Sequence, residues 1–127
     1  MTIGGNLLIN ANGRFQKGSA TTTFDGGTAR TWTDNSSPKQ DMGIVVIDGG
    51  SKEVDLGSDV RATDIVIEAD DTLDATGSDY DIDVLGSWTN NNTFTAEEGT
   101  VVFAATTSGH TITVGSSAFY DLTFNGV

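Results

Sequence analysis

The residues with the most capacity for chemistry are carboxylates. Glu68, Asp70, Asp71, Asp74, Asp79, Asp81 and Asp83 fall close together in a chain of 127 residues. If Asp79-Tyr80-Asp81-Ile82-Asp83 is a strand, three carboxylates share one face at a spacing of about 7 Å. Stacked neighbouring segments would bring Asp64, Asp70 or Asp71 alongside. An oxygen-rich set of this kind suits Ca²⁺, which takes about six to eight oxygen ligands. The candidate metal ligands are therefore Asp79, Asp81, Asp83, Asp70 and Asp71, with Ca²⁺ the possible ion and no cofactor required. The spacing is not that of an EF-hand, because Asp79-x-Asp81-x-Asp83 lacks the following Gly and the distant Glu. It is not a Gly-rich Ca²⁺-binding nonapeptide either. The competing reading, which the sequence favours, is a solvated acidic face that keeps the chain soluble.

Other chemistry is thinly represented. His110 is the only His, and no nucleophile-elbow motif accompanies it. A polysaccharide lyase needs a base, commonly Arg or Lys, beside carboxylates. Only Arg61, just before Asp64, meets that description. Two carboxylates suffice for glycoside hydrolysis, but carboxylates are so abundant here that the pattern discriminates nothing. The expectation is a protein without catalysis. Thr-x-Thr pairs recur at Thr21/Thr23, Thr31/Thr33, Thr93/Thr95 and Thr111/Thr113. Their irregular spacing reads as strand propensity rather than an ice-binding ladder. Trp88, Tyr80, Phe119 and Tyr120 are candidates for stacking on glycans, or for packing over a corner or a coil end.

Charge narrows the partners. The formal net charge is −12, and all six basic residues (Arg14, Lys17, Arg30, Lys39, Lys52, Arg61) precede Ala62. From Ala62 onward 11 acidic residues stand without a Lys or Arg. Such a surface repels phosphate backbones, so no nucleic acid is expected as a partner. Anionic lipid is equally unsuited. No apolar run is long enough to span a bilayer, and no membrane insertion is expected. The absence of Cys removes a disulfide scaffold, a zinc–thiolate site and a Cys nucleophile. Met1-Thr2-Ile3-Gly4-Gly5 is not a signal peptide, so an exported form would travel as a fragment or as part of a particle.

The elements that must position these residues are strands and corners. With 16 Gly, 19 Thr and a single Pro, and no helical period anywhere, the chain favours strands and turns. Short β-rich tetrads recur: Leu7–Asn10, Thr21–Phe24, Ile44–Ile47, Asp64–Ile67, Asp81–Val84, Thr100–Phe103 and Asp121–Phe124. They start over 114 residues in six steps, about 19 residues each. A turn and a second short strand follow each tetrad, carrying Phe15, Trp32, Val54 with Leu56, Leu73, Phe94, and Ile112 with Val114. The reading is an all-β, right-handed parallel β-solenoid of about six to seven irregular coils, with a β-sandwich as the alternative. Residues 1–127 form one solenoid domain or fragment, and 34–41, containing Pro38, reads as an inserted corner loop. The inward positions expected are Leu7, Ile9, Phe24, Val45, Ile47, Ile65, Ile67, Ile82, Val84, Val101, Phe103, Leu122 and Phe124. A longer similarity aligns Thr21–Phe24 with Thr100–Phe103, as an old duplication would.

Gly86-Ser87-Trp88-Thr89-Asn90-Asn91-Asn92-Thr93-Phe94-Thr95, then Gly99-Thr100-Val101-Val102-Phe103, then Ala118-Phe119-Tyr120-Asp121-Leu122-Thr123-Phe124-Asn125-Gly126 form a recognisable series. It resembles the β-helical repeats of large bacterial surface proteins, of the adhesin, haemagglutinin-like and autotransporter-passenger type. The resemblance is good over 86–127, partial over 5–50, and broken by the Asp-rich middle. It implies an extracellular or particle-surface location and a structural or adhesive role as stalk or fibre. The partners expected are proteins, through end-to-end self-association of solenoid ends that carry no polar cap or through flanking repeats of a parent chain, and glycans. Similar coils occur in phage fibres and spikes, so a fibre or shell subunit is the second expectation. A Ca²⁺- or glycan-binding module is the third.

Overall fold

The computed structural model describes residues 1–75 and 77–127. It is a parallel β-solenoid of about six turns, and no helix occurs among the described residues. At about 4.8 Å per coil the stack is about 30 Å long. The strands are β1 (Thr2–Ile3), β2 (Leu7–Ile9), β3 (Thr22–Phe24), β4 (Arg30–Asp34), β5 (Ile44–Ile47), β6 (Glu53–Leu56), β7 (Val60–Ala62) and β8 (Asp64–Ile67). They continue with β9 (Thr72–Asp74), β10 (Ile82–Val84), β11 (Trp88–Asn90), β12 (Thr93–Thr95), β13 (Thr100–Phe103), β14 (Ile112–Thr113) and β15 (Asp121–Phe124).

These strands build three faces. Sheet A runs β1-β3-β5-β8-β11-β14, sheet B runs β2-β4-β6-β9-β12, and sheet C runs β7-β10-β13-β15. Every strand pairing is parallel, which sets the antiparallel sandwich aside. Register partners lie from 19 residues apart (Ile82 with Val101) to 25 (Leu7 with Trp32). That spread comes from corners of unequal length.

Three faces rather than two stacked strand sets is a correction to the sequence reading. Thr22–Phe24, Ile44–Ile47 and Asp64–Ile67 stack in sheet A, whereas Ile82–Val84, Thr100–Phe103 and Asp121–Phe124 stack in sheet C. Leu7–Ile9 belongs to sheet B. The tetrads look alike because each presents alternate apolar residues inward, and that alternation is identical on all three faces. For the same reason the apparent duplication fails: Thr22–Phe24 and Thr100–Phe103 lie in different sheets.

The core is a column running along the axis. Ile9, Phe24, Val45, Ile47, Ile65, Ile67, Ile82, Val84, Val101 and Phe103 are buried as expected, with Leu7 packed at the margin. Leu122 and Phe124, expected inward, are exposed on β15, the edge strand of sheet C. The sequence reading omitted Met42, Val60, Ala62, Ala75 and Trp88, all fully or almost fully buried.

Corners carry the backbone strain. Gly115 adopts φ +68°, and a Cβ there would press into the Asn90 carbonyl oxygen of the coil below. Gly115→Ala therefore destabilises the chain by at least about 1 kcal/mol. Urea unfolding monitored by tryptophan fluorescence measures it; an unchanged midpoint would contradict the assigned corner geometry. The stretch between β4 and β5 contains a cis Ser37–Pro38 bond and is organised by the buried Asp34. The Asp34 carboxylate accepts hydrogen bonds from the Ser36 and Gln40 N–H groups and from the Ser36 hydroxyl.

Candidate functional site

The residues singled out for metal binding occupy corners and one sheet face, and each is engaged with an adjacent coil or is exposed. Asp71 is buried at the turn before β9; its carboxylate accepts the Lys52 N–H at 2.6 Å and the Gly49 N–H at 3.2 Å. Asp79 accepts the Glu98 N–H at 3.2 Å, and Asp81 accepts the Thr100 N–H at 2.8 Å. Asp83 on β10 sits in register over Arg61 on β7 and pairs with its guanidinium, 2.6 Å from Nη2. Asp70, at φ +68°, is exposed in the turn beside Asp71. The structure does not gather these five carboxylates into one ligand set: among the described residues they form no group of three converging oxygens.

A common device explains most of them. Where the chain turns a corner the strand ladder is interrupted and main-chain N–H groups lose their regular partners. A short Asp or Asn side chain reaches the adjacent coil and accepts that hydrogen. Asp64 does so for Ser87, Asp59 for Asp81 and Asn6 for Thr31. Lys52 works in the opposite sense. Its side chain is buried, and its ammonium donates to the carbonyls of Gly26 and Gly27 one coil earlier.

Of the carboxylates that do converge, Asp74 was visible in the acidic cluster but not counted as a ligand, and Glu53 and Asp55 were missed in the sequence. Glu53 and Asp55 on β6 and Asp74 on β9 bring their oxygens within 4.8 Å of one another. The register pairs Asp55 with Asp74, and Glu53 lies two residues along on the same outward face. Alternation in Glu53-Val54-Asp55 and Thr72-Leu73-Asp74 was legible; the register that superposes them was not. Burial pushes the Asp55 carboxyl above its ordinary 3.8, and the neighbouring Glu53 charge and hydrogen bond and the Asp74 charge push further the same way. One Asp55 oxygen, Oδ1, is buried with no hydrogen-bond partner. Chemically, such a trio either shares a proton or takes up a cation.

The sign of its pH effect follows. A carboxyl whose folded pKa is raised penalises the folded state at high pH, and the penalty fades as pH falls through that raised value. Asp55→Asn is therefore expected to raise the thermal midpoint at neutral pH, with the gain vanishing in acid. Melting curves from pH 3 to 8 test this; equal midpoints at neutral pH would show that the carboxylates do not repel. Asp41 behaves oppositely. Partial burial pushes it up, but its hydrogen bond and ion pair with Lys17, and the Gly43 N–H and Thr63 hydroxyl, hold it below 3.8. Its contribution is present above 3.8 and is lost as pH falls through the lower folded value.

The remaining candidates are placed plainly. His110 is exposed, with Nε2 2.9 Å from the Thr107 hydroxyl. Arg61 is tied to Asp83 rather than poised as a base. Trp88 is fully buried, and Tyr80 and Phe119 pack against the core, so Tyr120 alone of the four aromatics is exposed. The last coil carries an apolar concavity of about 330 Å³, bordered by Phe103, Ala105, Ile112 and Phe124. No helix among the described residues is long and apolar enough to cross a membrane. No family model, curated protein or solved structure matches the chain.

Proposed function

We propose that the chain is a structural and adhesive β-solenoid segment, serving as stalk or fibre of an extracellular, cell-surface protein and performing no catalysis. One observation carries the reading. The side chains with the most capacity for chemistry, Asp71, Asp79, Asp81, Asp83, Arg61 and Lys52, all join one coil to another. A molecule whose charged groups hold its own coils in register is suited to bearing a shape. The resemblance of 86–127 to bacterial surface repeats supports the location. Antibodies raised against the folded chain and applied to intact cells of the source organism test it. Surface labelling that protease shaving removes is the expected result. Labelling that appears only after lysis contradicts the proposal.

A second reading, a fibre or shell subunit of a particle, rests on the same rod of stacked parallel coils. A Ca²⁺- or glycan-binding module has less support: the five Asp residues do not converge, the trio that does, Glu53, Asp55 and Asp74, offers three carboxylates alone, and one exposed tyrosine is not a sugar platform.

A further inference from the structure

We propose that the outward face of sheet A binds ice, through an uncharged array of Thr and Val side chains that the coils hold in register. The proposal goes beyond the structural reading above and does not depend on it.

Register defines the face. Thr23, Val46, Val66 and Thr89 form one outward column across β3, β5, β8 and β11, in unbroken register, and Thr2 and Thr113 belong to the same column. All six side chains are β-branched and uncharged. A second column, two residues earlier on each strand, includes Ile44, Asp64 and Ser87. Its charge, the Asp64 carboxylate, is occupied by the Ser87 N–H at 2.6 Å. Thr21 and Thr111 stand in that second column, two residues before Thr23 and Thr113. Two of the Thr-x-Thr pairs therefore share a face; their spacing is irregular in the sequence because the corners differ in length, not because the strands are out of step. The other two faces are unlike it. On sheet B the column Thr31, Asp55, Asp74 and Thr95 is broken by two carboxylates. On sheet C Arg61 and Asp83 share a column with Val102 and Thr123. In a chain of net charge −12, sheet A alone presents an uncharged central column among the described residues.

Two arguments select the occupant. The first is size. Coils rise by about 4.8 Å and alternate residues of a strand lie about 7 Å apart, so the two columns cover an area on the order of 300 Å². Asp48 and Glu68, two residues beyond Val46 and Val66, bound the strip on one side. A stable contact between proteins buries about 800 Å² on each partner. Its anchors are typically Trp, Tyr and Arg, and these columns hold none of them. The second argument is order. The two spacings of the array approach the oxygen repeats on a prism face of ice. Val and Thr side chains have few χ1 states, so their methyls and hydroxyls keep those spacings with little ordering cost when they meet a solid surface. Thr hydroxyls can hydrogen-bond to lattice water while the methyls fit between water molecules.

Two measurements test the proposal: growth arrest of a single ice crystal below its melting point, and uptake of the protein into a slowly advancing ice front. They are made on the unaltered chain and on three variants. Val66→Lys and Thr89→Tyr disturb the central column; both side chains point outward, so no core contact is lost. Val102→Lys makes a similar change on the outward face of sheet C. The unaltered chain and Val102→Lys are expected to arrest growth and to enter the ice. Val66→Lys and Thr89→Tyr are expected to lose both properties while circular dichroism and melting midpoints show the fold intact. An unaltered chain that neither arrests growth nor enters ice above the level of a non-binding acidic protein overturns the proposal. Retention of both properties by either column variant, or their loss in Val102→Lys, overturns it as well. Surface labelling of cells reads the structural role separately, so the two proposals fail independently.

Discussion

Trp88→Ala is expected to lower the unfolding free energy by about 3–5 kcal/mol, the range for removing a large buried aromatic side chain. Trp88 is fully buried on β11 and its ring meets Phe94 at 4.9 Å, Phe119 at 5.4 Å and Phe103 at 6.5 Å. Those partners come from sheet B, the last corner and sheet C, so one side chain ties the faces together near the C-terminal end. Each aromatic pair adds about 0.5–1.5 kcal/mol beyond its buried area. The indole N–H is buried with no hydrogen-bond partner. Trp88→Phe therefore sheds an unsatisfied donor as it sheds volume, and is expected to cost clearly less than Trp88→Ala. Guanidinium unfolding by circular dichroism measures both. A loss under about 1 kcal/mol for Trp88→Ala would place the ring outside a packed core.

The second large effect belongs to Asp71. Replacing it by Ala leaves the Lys52 and Gly49 N–H groups without their acceptor inside a buried corner. Hydrogen bonds to a charged group are worth about 1.5–3 kcal/mol, and orphaned buried donors add to the loss. We expect Asp71→Ala to cost about 3 kcal/mol, and Asp70→Asn, one residue earlier and exposed, to stay within about 0.5 kcal/mol. Comparable losses at the two positions would mean that the corner is held by something other than this carboxylate.

Much of the fold was legible because a solenoid repeats its physics. Alternating Ile44-Val45-Val46-Ile47 and Asp64-Ile65-Val66-Ile67 must bury one face, and Gly and Asp clusters must turn corners. The number of faces was not legible. Val60-Arg61-Ala62 is a short strand with a small inward Ala, so β7 gives almost no hydrophobic signal, and β7 opens the third sheet. Trp88, between Ser87 and Thr89, reads equally well as a loop aromatic until register stacks it between Ile65 and Ile112. The acidic residues were visible as a group, but their division into corner acceptors and a converging trio depends on which residues lie one coil apart. Unequal corners put that offset anywhere from 19 to 25 residues. Composition alone cannot supply it.

The central claim is that the charged side chains serve the solenoid's architecture, not a ligand. The direct measurement is isothermal titration of the chain with Ca²⁺, paired with thermal melts in Ca²⁺ and in chelator. The account predicts no saturable heat at millimolar ion and the same melting midpoint in both. Saturable one-site heat with a raised midpoint, both abolished by Glu53→Gln or Asp74→Asn, would contradict it and make the acidic face a metal site.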